Sequence, residues 1–346
     1  FIAHKVTMGV YGDQYIFNQH KDEQQTVTVG TFPLTDPTYV SQPSNIVGTL
    51  PTFPTAKVLT TNYVIGDEVK FFKSLSALVG VNYAGIKEQD YSSPGVLTQS
   101  AYDKARVTPS LSLIYKPIDA VSTYVSYIQS LQEGAVVPTT GLVYTNAGEV
   151  LPPYVSSQYE VGTKAKLGSA LLTAALFRIQ KANQFAVNNG NGTETYSQDG
   201  REVHQGLEVT LSGKVTDQLT LWGGITVMQA KVESAANNPS IDGKRPTNVS
   251  NNMAKLYAEY AVPQLSGFVL TGGVYYMGDF YADAANTERL PAYVIGDVGA
   301  RYTLNLTDRQ LILRFNVTNI ANTSYWQSAN WVGDPRTFLF SAEMKF

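Results

Sequence analysis

Histidine is rare in this chain and cysteine is absent, although both residue types are common in metal and catalytic sites. The 346 residues include three histidines and no cysteine, which excludes a thiolate metal site. His4 and His204 fall on predicted strands and His20 in a predicted loop, without the spacing of a metal site. No Gly-x-Ser-x-Gly elbow, His-Glu-x-x-His pair, phosphate loop or dinucleotide-binding glycine fingerprint occurs. The sequence therefore predicts neither an enzyme nor a protein with metal ligands of its own.

Charge and hydropathy exclude two further classes. The formal net charge is -3 and no cluster of lysine and arginine occurs, which argues against a nucleic-acid partner. No apolar run approaches the ~18 to 20 residues of a membrane-spanning helix. The opening "FIAHKVTMGVYGD" lacks the features of a signal peptide and begins inside an alternating pattern, as expected of a fragment or of a chain cut within a larger protein.

Period-two alternation of apolar and polar residues predicts an all-β protein of fourteen strands. We expect these strands near residues 4–16, 57–71, 75–85, 105–116, 121–131, 157–167, 170–184, 200–213, 218–231, 253–262, 267–277, 292–304, 310–319 and 337–346.

The connections between these strands alternate in length. Short turns such as "KPIDA", "KLGS" and "NLTDR" alternate with long loops over 17–56, 86–104, 132–156, 185–199, 232–252, 278–291 and 320–336. All long loops therefore emerge at one end of the array. An even-numbered, antiparallel up-and-down meander of this kind is typical of an outer-membrane β-barrel.

The two faces of each strand differ in polarity. In "LILRFNVTN", Leu313 and Phe315 lie on one face and Arg314 on the other. One wet face also occurs in soluble sandwiches, so this pattern favours a membrane barrel only together with the loop asymmetry. Aromatic residues at strand ends, which suit girdles at the two lipid interfaces, add to the argument: Tyr275 and Tyr276 next to a long loop, and Phe71, Phe72 and Tyr115 next to short turns.

The last nine residues, "FLFSAEMKF", alternate almost strictly. Their apolar face requires burial in a core or in lipid, and in a barrel this is the closing strand. The aromatic C-terminus resembles the assembly signal of outer-membrane proteins, which we assign to Phe338, Phe340, Met344 and Phe346. This assignment places the C-terminus and the short turns in the periplasm and the long loops outside the cell.

Several segments together resemble the C-terminal barrel of TonB-dependent siderophore receptors. They are "SSQYEVGTKAKL" (156–167), "LLTAALFRIQKANQ" (171–184), "DGREVHQGLEVTLSGKVTDQLTLWGGIT" (199–226), "GKRPTNVSNN" (243–252) and the ending "RFNVTNIANTSYW...RTFLFSAEMKF". The resemblance covers nearly the whole chain. It implies that residues 1–346 are one transmembrane barrel domain corresponding to the last fourteen strands of a 22-stranded barrel, without the N-terminal plug, the TonB box and the first strands.

The resemblance also implies a function and a set of partners. We expect an integral outer-membrane receptor for uptake of a ferric siderophore, energised by the TonB–ExbB–ExbD complex through the missing N-terminal part. Further expected partners are the receptor's own plug domain, outer-membrane lipids and lipopolysaccharide, and the barrel assembly machinery. A ferric siderophore arrives with its iron already chelated, so the receptor needs no cofactor and no metal ligands.

A bulky, partly aromatic and often anionic chelate favours aromatic surfaces with a few cations where loops meet the lumen. The candidates are Tyr144 and Tyr154 in the third long loop, Tyr196 in the fourth, Phe280, Tyr281 and Arg289 in the sixth, and Tyr325, Trp326, Trp331 and Arg336 in the last. Loop packing or interfacial anchoring is the competing explanation for each.

Charged residues expected inside the barrel line a wet wall or contact the plug: Glu160, Lys164, Arg178, Arg301, Arg314 and Glu343. Two other functions remain open at this point. One is a passive 14-stranded diffusion channel that closes by itself, and the other is a soluble β-sandwich adhesin.

Overall fold

The structure is a computed structural model that describes residues 2–20, 28, 30–40, 52–97, 101–139, 143–233 and 239–346. Every regular element in these ranges is a β-strand. Among the described residues there is no helix long and apolar enough to span a membrane.

One large antiparallel sheet dominates the molecule. Its fourteen main strands are β1 (Ala3–His20), β2 (Thr52–Lys70), β3 (Leu75–Ser93), β5 (Tyr102–Ile118), β6 (Val121–Gln132), β7 (Tyr154–Leu167), β8 (Ser169–Asn188), β9 (Glu194–Lys214), β10 (Leu219–Glu233), β11 (Asn252–Ala261), β12 (Phe268–Met277), β15 (Tyr293–Leu306), β16 (Arg309–Thr318) and β19 (Thr337–Lys345). Five short strands are β4 (Val96–Leu97), which pairs with β3, the loop hairpin of β13 (Phe280–Tyr281) and β14 (Arg289–Leu290), and the loop hairpin of β17 (Trp326–Ser328) and β18 (Trp331–Val332).

The main strands follow one another in chain order, each hydrogen-bonded to the next. This confirms all fourteen predicted strands and the up-and-down meander. In the part of the chain that the structure describes, β1 pairs only with β2 and β19 only with β16, so the sheet has two edges.

The structure confirms the predicted short connections, but it corrects the prediction of the fourth long loop. Residues 71–74, 119–120, 168, 215–218, 262–267 and 307–308 link successive main strands at one end. At the other end, β8 continues to Asn188 and β9 begins at Glu194, so the predicted loop 185–199 is mostly an extended hairpin. Gly190 and Gly192 have φ angles of 76° and 80° at its tip, where left-handed backbone favours glycine.

Two other predicted loops are also partly strand. β3 continues to Ser93 and β5 begins at Tyr102, so most of 86–104 is extended, and β2 begins at Thr52 within the predicted loop 17–56. In β3 the extension includes the polar run Lys87, Glu88 and Gln89, which interrupts the alternation of apolar and polar residues that was used to locate the strands.

Strand register assigns each side chain to the outer or the inner face of the sheet. Leu176, Leu207 and Val227 lie side by side on β8, β9 and β10, and all three are exposed on the outer face. Small polar groups such as Thr108 and Ser126 lie buried on the inner face. One apolar and one polar face is the arrangement expected of a barrel with a lipid-facing band.

Three of the five aromatic residues assigned to the girdles are exposed, Phe71 is half-buried, and Tyr275 is a correction. Tyr115 and Phe72 are exposed next to short turns, and Tyr276 is exposed on the outer face next to a long loop. Tyr275 instead lies on the inner face of β12, because neighbouring residues of a strand point to opposite sides.

Arg178 is a second correction. It lies on the outer face of β8, two residues beyond Leu176, and its Nη1 donates a hydrogen bond to Gln205. The sequence prediction placed Arg178 inside because it is charged, but β8 extends past the apolar band, where an outward charge is solvated.

Candidate functional site

Four tyrosines meet at the loop end of strands β5 to β9, and we call them the tyrosine cluster: Tyr102, Tyr144, Tyr154 and Tyr196. The rings of Tyr144 and Tyr196 stand edge to face with centroids 5.8 Å apart. The phenol of Tyr154 is close enough to those of Tyr196 and Tyr102 to interact with them electrostatically. Tyr102 is 2% exposed, whereas the other three are partly exposed and present ring surface and hydroxyl groups.

Two side-chain amides, that of Asn146 in the loop and that of Gln198 on β9, hold the loop that carries Tyr144 against β9. The side chain of Asn146 accepts a 3.0 Å hydrogen bond from the Tyr196 backbone N–H and donates one of 3.0 Å to its carbonyl. Gln198 accepts from the Ala135 N–H at 3.1 Å and donates to a backbone carbonyl of the same loop, that of Pro152, at 3.0 Å. The described part of 133–153 is therefore held against β9, and the three exposed rings are preorganised.

A carboxyl group lies at the base of this cluster. Partial burial of Glu133, together with a hydrogen bond to Glu88 and the nearby charge of Asp90, raises the pKa of the Glu133 side chain to about 8. The next residue, Gly134, donates its N–H to the Tyr102 hydroxyl at 3.0 Å. At neutral pH the Glu133 carboxyl group is therefore largely protonated, and it donates a hydrogen bond to Glu88.

A second group, the arginine cluster, lies in the loops after β10 and β12 and consists of Arg245, Asp279, Tyr281 and Arg289. Asp279 Oδ2 accepts from Arg245 Nη2 at 2.7 Å and from Arg289 Nε at 2.9 Å. The hydrogen bond from Arg289, which outweighs the opposing effect of partial burial, and the pairing with Arg245 lower the pKa of Asp279 to about 2. The Arg245 guanidinium also lies 4.5 Å from the Tyr281 ring centroid.

The third group, the last-loop cluster, joins Tyr39, Tyr293, Asn319, Tyr325 and Asp334. Tyr293 and Tyr325 pack with ring centroids 4.3 Å apart. Tyr39 donates its hydroxyl proton to the carbonyls of Thr323 and Asp334 at 2.9 and 3.0 Å. Asn319 Nδ2 donates to the same two carbonyls at 2.8 and 3.0 Å. These hydrogen bonds form one network that closes the loop between β16 and β19.

Contacts between loops connect these groups across the sheet. Trp326 Nε1 donates to the Leu34 carbonyl at 2.7 Å, which joins the first and the last long loops. Asn248 accepts from the Ala329 N–H at 2.6 Å and donates its own N–H to the Tyr281 carbonyl at 3.0 Å. The loop that follows β1 therefore contacts the loop between β16 and β19, and that loop contacts the loop after β10.

The structure divides the predicted binding residues into two sets. Tyr154 and Tyr196 lie on strands β7 and β9 rather than in loops, and with Tyr144 they form one surface. Phe280 and Tyr325 are 3% and 8% exposed, so they pack inside their loops and present little surface to a ligand.

The remaining predicted residues lie around the last two long loops. Trp331 is 71% exposed, and Arg336 is exposed with its backbone N–H bonded to Asn322. Sequence reasoning missed Tyr39, Tyr102, Arg245 and Tyr293. For Arg245 the available signal was its place in "GKRPTNVSNN", a segment recognised for the family but not weighed for binding.

Two ion pairs lie on the inner wall of the described strands β11 to β19. Arg301 binds both carboxylate oxygens of Glu259, at 2.9 and 2.7 Å, and Arg314 binds Glu343 at 2.9 Å. Lys164 lies 5.4 Å from the Tyr124 ring, and the hydroxyl of that ring donates to Glu160. These contacts place charged and polar side chains on the inner face and pair some of them with one another.

The histidines lie apart from one another. His4 Nδ1 is 2.7 Å from Asp67, and His204 Nε2 is 3.4 Å from Glu202, while the side chain of His20 lies outside the described residues. Within the described ranges, no group of three or more histidine, aspartate or glutamate side chains is arranged to hold a metal ion.

The residues assigned to the assembly signal share the outer face of the last strand. Phe338, Phe340 and Met344 are exposed there, and Phe346 follows with the Arg309 guanidinium 4.8 Å from its ring centroid.

With this geometry described, comparison with known proteins settles the family. The model of the family described as "TonB dependent receptor-like, beta-barrel" matches residues 3–320. This chain belongs to the TonB-dependent receptor barrels.

Comparison with individual relatives supports this family assignment. The chain is 27% identical to the ferrichrome receptor FcuA of Yersinia enterocolitica over 361 residues, covering 100% of this chain and 46% of the relative. It is 31% identical to a ferrioxamine receptor of the same organism over 219 residues, covering 62% of this chain and 29% of the relative. The crystal structure of BauA, the ferric preacinetobactin receptor of Acinetobacter baumannii, superimposes with a TM-score of 0.70 at 27% identity, covering 84% of this chain and 43% of that one.

The receptor barrel described here spans less than half the length of these relatives. The relatives are transport receptors rather than enzymes, and membership of the family places the chain in the bacterial outer membrane.

Proposed function

We propose that this chain forms the siderophore-binding wall and loop surface of an outer-membrane receptor for TonB-energised uptake of a ferric siderophore. The observation that carries the proposal is the tyrosine cluster, where partly exposed rings from a loop and two strands converge at the loop end of a membrane barrel. Aromatic rings with hydroxyl groups suit a rigid, partly apolar chelate whose periphery offers hydrogen-bond acceptors.

Cations supply the second element of recognition. Arg289 has an exposed side chain at the edge of the arginine cluster, and Arg336 is exposed in the last loop. We expect Arg289 and Arg336 to attract an anionic chelate bound at the tyrosine cluster, because all of these residues lie at the loop end of the sheet. Tyr281, Trp326 and Trp331 complete the proposed contact surface, whereas Phe280 and Tyr325 support it from below.

Orientation and partners follow from the proposed receptor. The long loops face outward from the cell, and the short turns and the C-terminus lie in the periplasm, because short periplasmic turns and longer extracellular loops are typical of outer-membrane barrels. The plug domain and the TonB–ExbB–ExbD complex act through a further part of the receptor, and the inner ion pairs face that plug. Lipopolysaccharide surrounds the barrel, and Phe338, Phe340, Met344 and Phe346 are read by the barrel assembly machinery. The receptor has no cofactor, and iron enters only as cargo.

The two alternative functions are less well supported. Membership of the receptor barrel family favours a receptor over a self-contained 14-stranded channel and over a soluble adhesin.

The test is binding of ferric siderophores to the receptor purified from outer membranes. Quenching of intrinsic fluorescence is titrated with ferrichrome, ferrioxamine B and a ferric catecholate, each also in its iron-free form. We expect saturable binding of at least one ferric complex. Tyr196→Ala weakens that binding about 10-fold, since one aromatic contact contributes on the order of 1 kcal/mol beyond its buried area.

A tyrosine on the outer face is the matched control. Tyr159 lies on β7, as Tyr154 does, but it is exposed on the outer face, where it packs against Tyr127 with ring centroids 4.9 Å apart. Tyr159→Ala should leave binding unchanged. If no ferric complex binds, or if Tyr159→Ala and Tyr196→Ala have equal effects, the proposed site is wrong.

A further inference from the structure

The tip of the hairpin between β8 and β9 carries two Asn-Gly pairs, Asn189–Gly190 and Asn191–Gly192. Both pairs lie after the end of β8 and before the start of β9, and all four residues are exposed. No other asparagine in the sequence is followed by glycine. The two pairs are therefore alike in sequence and in exposure, and only their hydrogen bonds distinguish them.

An asparagine that precedes glycine is open to deamidation without an enzyme. The backbone nitrogen of the glycine loses its proton and attacks the side-chain carbonyl carbon, and the amide nitrogen leaves as ammonia. The cyclic succinimide that results takes up one water molecule and opens to aspartate or isoaspartate. Glycine favours the attack because it has no Cβ to hinder the close approach of its nitrogen.

In the first pair both reacting groups are engaged. The attacking nitrogen, that of Gly190, donates its proton to Asn188 Oδ1 at 2.8 Å. Asn189 Nδ2 donates to Thr193 Oγ1 at 3.0 Å, and Thr195 Oγ1 lies 3.2 Å from that Nδ2 and 3.3 Å from Oδ1. The Asn189 side chain is thus held across the tip, and its neighbouring N–H is occupied.

The second pair has the opposite arrangement. Asn191 Oδ1 accepts from the Thr193 N–H at 3.1 Å and from the Thr193 hydroxyl at 2.6 Å. Two donors on one carbonyl oxygen stabilise the negative charge that develops there during attack at its carbon. In the part of the chain that the structure describes, the Gly192 N–H donates to no other group. The carbonyl is therefore activated, and the attacking nitrogen has no competing hydrogen bond.

We propose that Asn191 is a site of non-enzymatic deamidation and that the fold selects it over Asn189. The product carries a carboxylate in place of a neutral amide. In the isoaspartate form the former side-chain carbonyl becomes part of the main chain, which gains one methylene at the tip. The site depends only on the exposure and the hydrogen bonds of the tip, so it does not rest on the proposed binding of a chelate.

The modified tip adjoins the contacts that hold the loop carrying Tyr144. The Thr145 N–H donates to the Glu194 carbonyl at 2.8 Å, and the two hydroxyls of Thr145 and Thr195 are 2.7 Å apart. Isoaspartate at position 191 removes the side-chain acceptor of Thr193 and lengthens the chain immediately before these contacts. We therefore expect deamidation to loosen this loop as the protein ages.

The test follows the receptor, purified in detergent, during incubation at mildly alkaline pH. The tryptic peptide 182–201 contains both pairs, and electron-transfer fragmentation distinguishes aspartate from isoaspartate at each position. We expect Asn191 to react several-fold faster than Asn189 in the folded receptor and faster still at higher pH, because the attacking nitrogen must lose its proton. In receptor unfolded in guanidinium the two should react at similar rates, since glycine follows both.

Two threonine variants separate the hydrogen bonds from the sequence. Thr193→Val removes one donor to Asn191 Oδ1 and keeps the shape of the side chain, so it should slow deamidation of Asn191 several-fold. Thr195→Val is the matched control. It removes a partner of Asn189 and should leave the rate at Asn191 unchanged.

Hydrogen exchange of residues 143–147 measures the structural consequence. Aged wild type should exchange faster than fresh protein, whereas Asn191→Gln, aged in the same way, should not, because glutamine cyclises far more slowly.

Three outcomes would overturn the site: equal rates at Asn189 and Asn191 in the folded receptor, the same ratio of rates after unfolding, or equal effects of the two threonine variants. Unchanged exchange in fully deamidated protein would refute the loosening. Ferric siderophore binding is measured on fresh samples of the same protein. A receptor that deamidates at Asn191 but binds no chelate would refute the proposed function alone.

Discussion

The tyrosine cluster and the last-loop cluster use the same residue type in opposite ways. Tyr144 and Tyr196 keep part of their rings exposed and are held from behind by amide hydrogen bonds. Tyr325 is buried, and its ring fills the space that a side chain at Gly333 would need. Aromatic content therefore does not locate a binding surface. What distinguishes the two regions is whether the polar contacts leave the rings accessible or lock them into a scaffold.

The largest effect should come from filling the space at Gly333. A Cβ at this position overlaps the Tyr325 ring, so Gly333→Leu overpacks the last-loop cluster and should destabilise it by about 3 kcal/mol. Hydrogen exchange of residues 319–336 measures the loss. Gly272→Ala, where an added Cβ makes only an ordinary 3.6 Å contact with the Asp297 carbonyl, is the control. Equal protection in Gly333→Leu and wild type would mean that the last loop is not a scaffold.

Removing Arg245 should have the next largest effect. Its side chain is 12% exposed, and Arg245→Met leaves Asp279 with one partner, which should cost about 2 kcal/mol of local stability. Arg289 binds the same carboxylate from an exposed position, so Arg289→Met should destabilise the loop less than Arg245→Met does. Limited proteolysis of the loop 278–292 compares the two. A larger effect of Arg289→Met would mean that Arg289, rather than Arg245, is the residue that stabilises the loop.

The arginine cluster also predicts a pH limit. The folded-state pKa of Asp279 is about 2, below its ordinary value of 3.8, so its contribution to stability is present above pH 3.8 and is lost as the pH falls through 2. Asp279→Asn should weaken the loop at neutral pH and remove this step. An unchanged acid transition in Asp279→Asn would contradict the pairing.

The tyrosine cluster should respond to pH in the opposite direction. The pKa of Glu133 is raised to about 8 from 4.5, so its loop is most stable below pH 4.5 and loses stability as the pH rises through 8. Glu133→Gln should flatten this dependence and protect residues 143–153 from exchange at pH 9. Glu149→Gln, which changes an exposed carboxylate of the same loop, is the control. If both variants keep the wild-type slope, Glu133 is not the responsible group.

The smallest effect concerns the link between the first and last loops. Tyr39→Phe removes the one hydroxyl proton that the carbonyls of Thr323 and Asp334 share, but Asn319 donates to both carbonyls and keeps them satisfied. We expect a loss of about 1 kcal/mol, measured by hydrogen exchange of residues 30–40. Asn319→Ala should cost more. The reverse order would show that the first loop, rather than Asn319, organises the last-loop cluster.

Most of the sheet was predictable because its rules are local. Alternation with a period of two located all fourteen strands, and the short turns were identified from their glycine, proline and aspartate residues. The prediction failed where strands extend past the apolar band, as in β8 and β9, since outward residues such as Arg178 and Gln205 no longer alternate as apolar side chains do. Arg178 was predicted to face inward because its charge was given more weight than its position in the alternating pattern. Its spacing of two residues from Leu176 already placed it on the outer face.

The candidate site was predictable only in part. Tyr144, Tyr154 and Tyr196 were selected by residue type and proximity to loops, and the structure brings them together. Nothing in the sequence separates them from Phe280 or Tyr325, because burial of a loop residue depends on contacts with distant segments. Tyr102 was missed because it precedes the apolar part of its strand.

The sequence by itself determined the strands, their order, the apolar outer band and the family, since each follows from local spacing or from segments that can be recognised in isolation. Tertiary structure decided which rings remain accessible, which cations face outward and which loops lock together. The reason is physical: strand pairing fixes neighbours a short distance apart in the chain, whereas contacts such as Trp326 to Leu34 join residues 292 positions apart. Such contacts exist only once the sheet has curved.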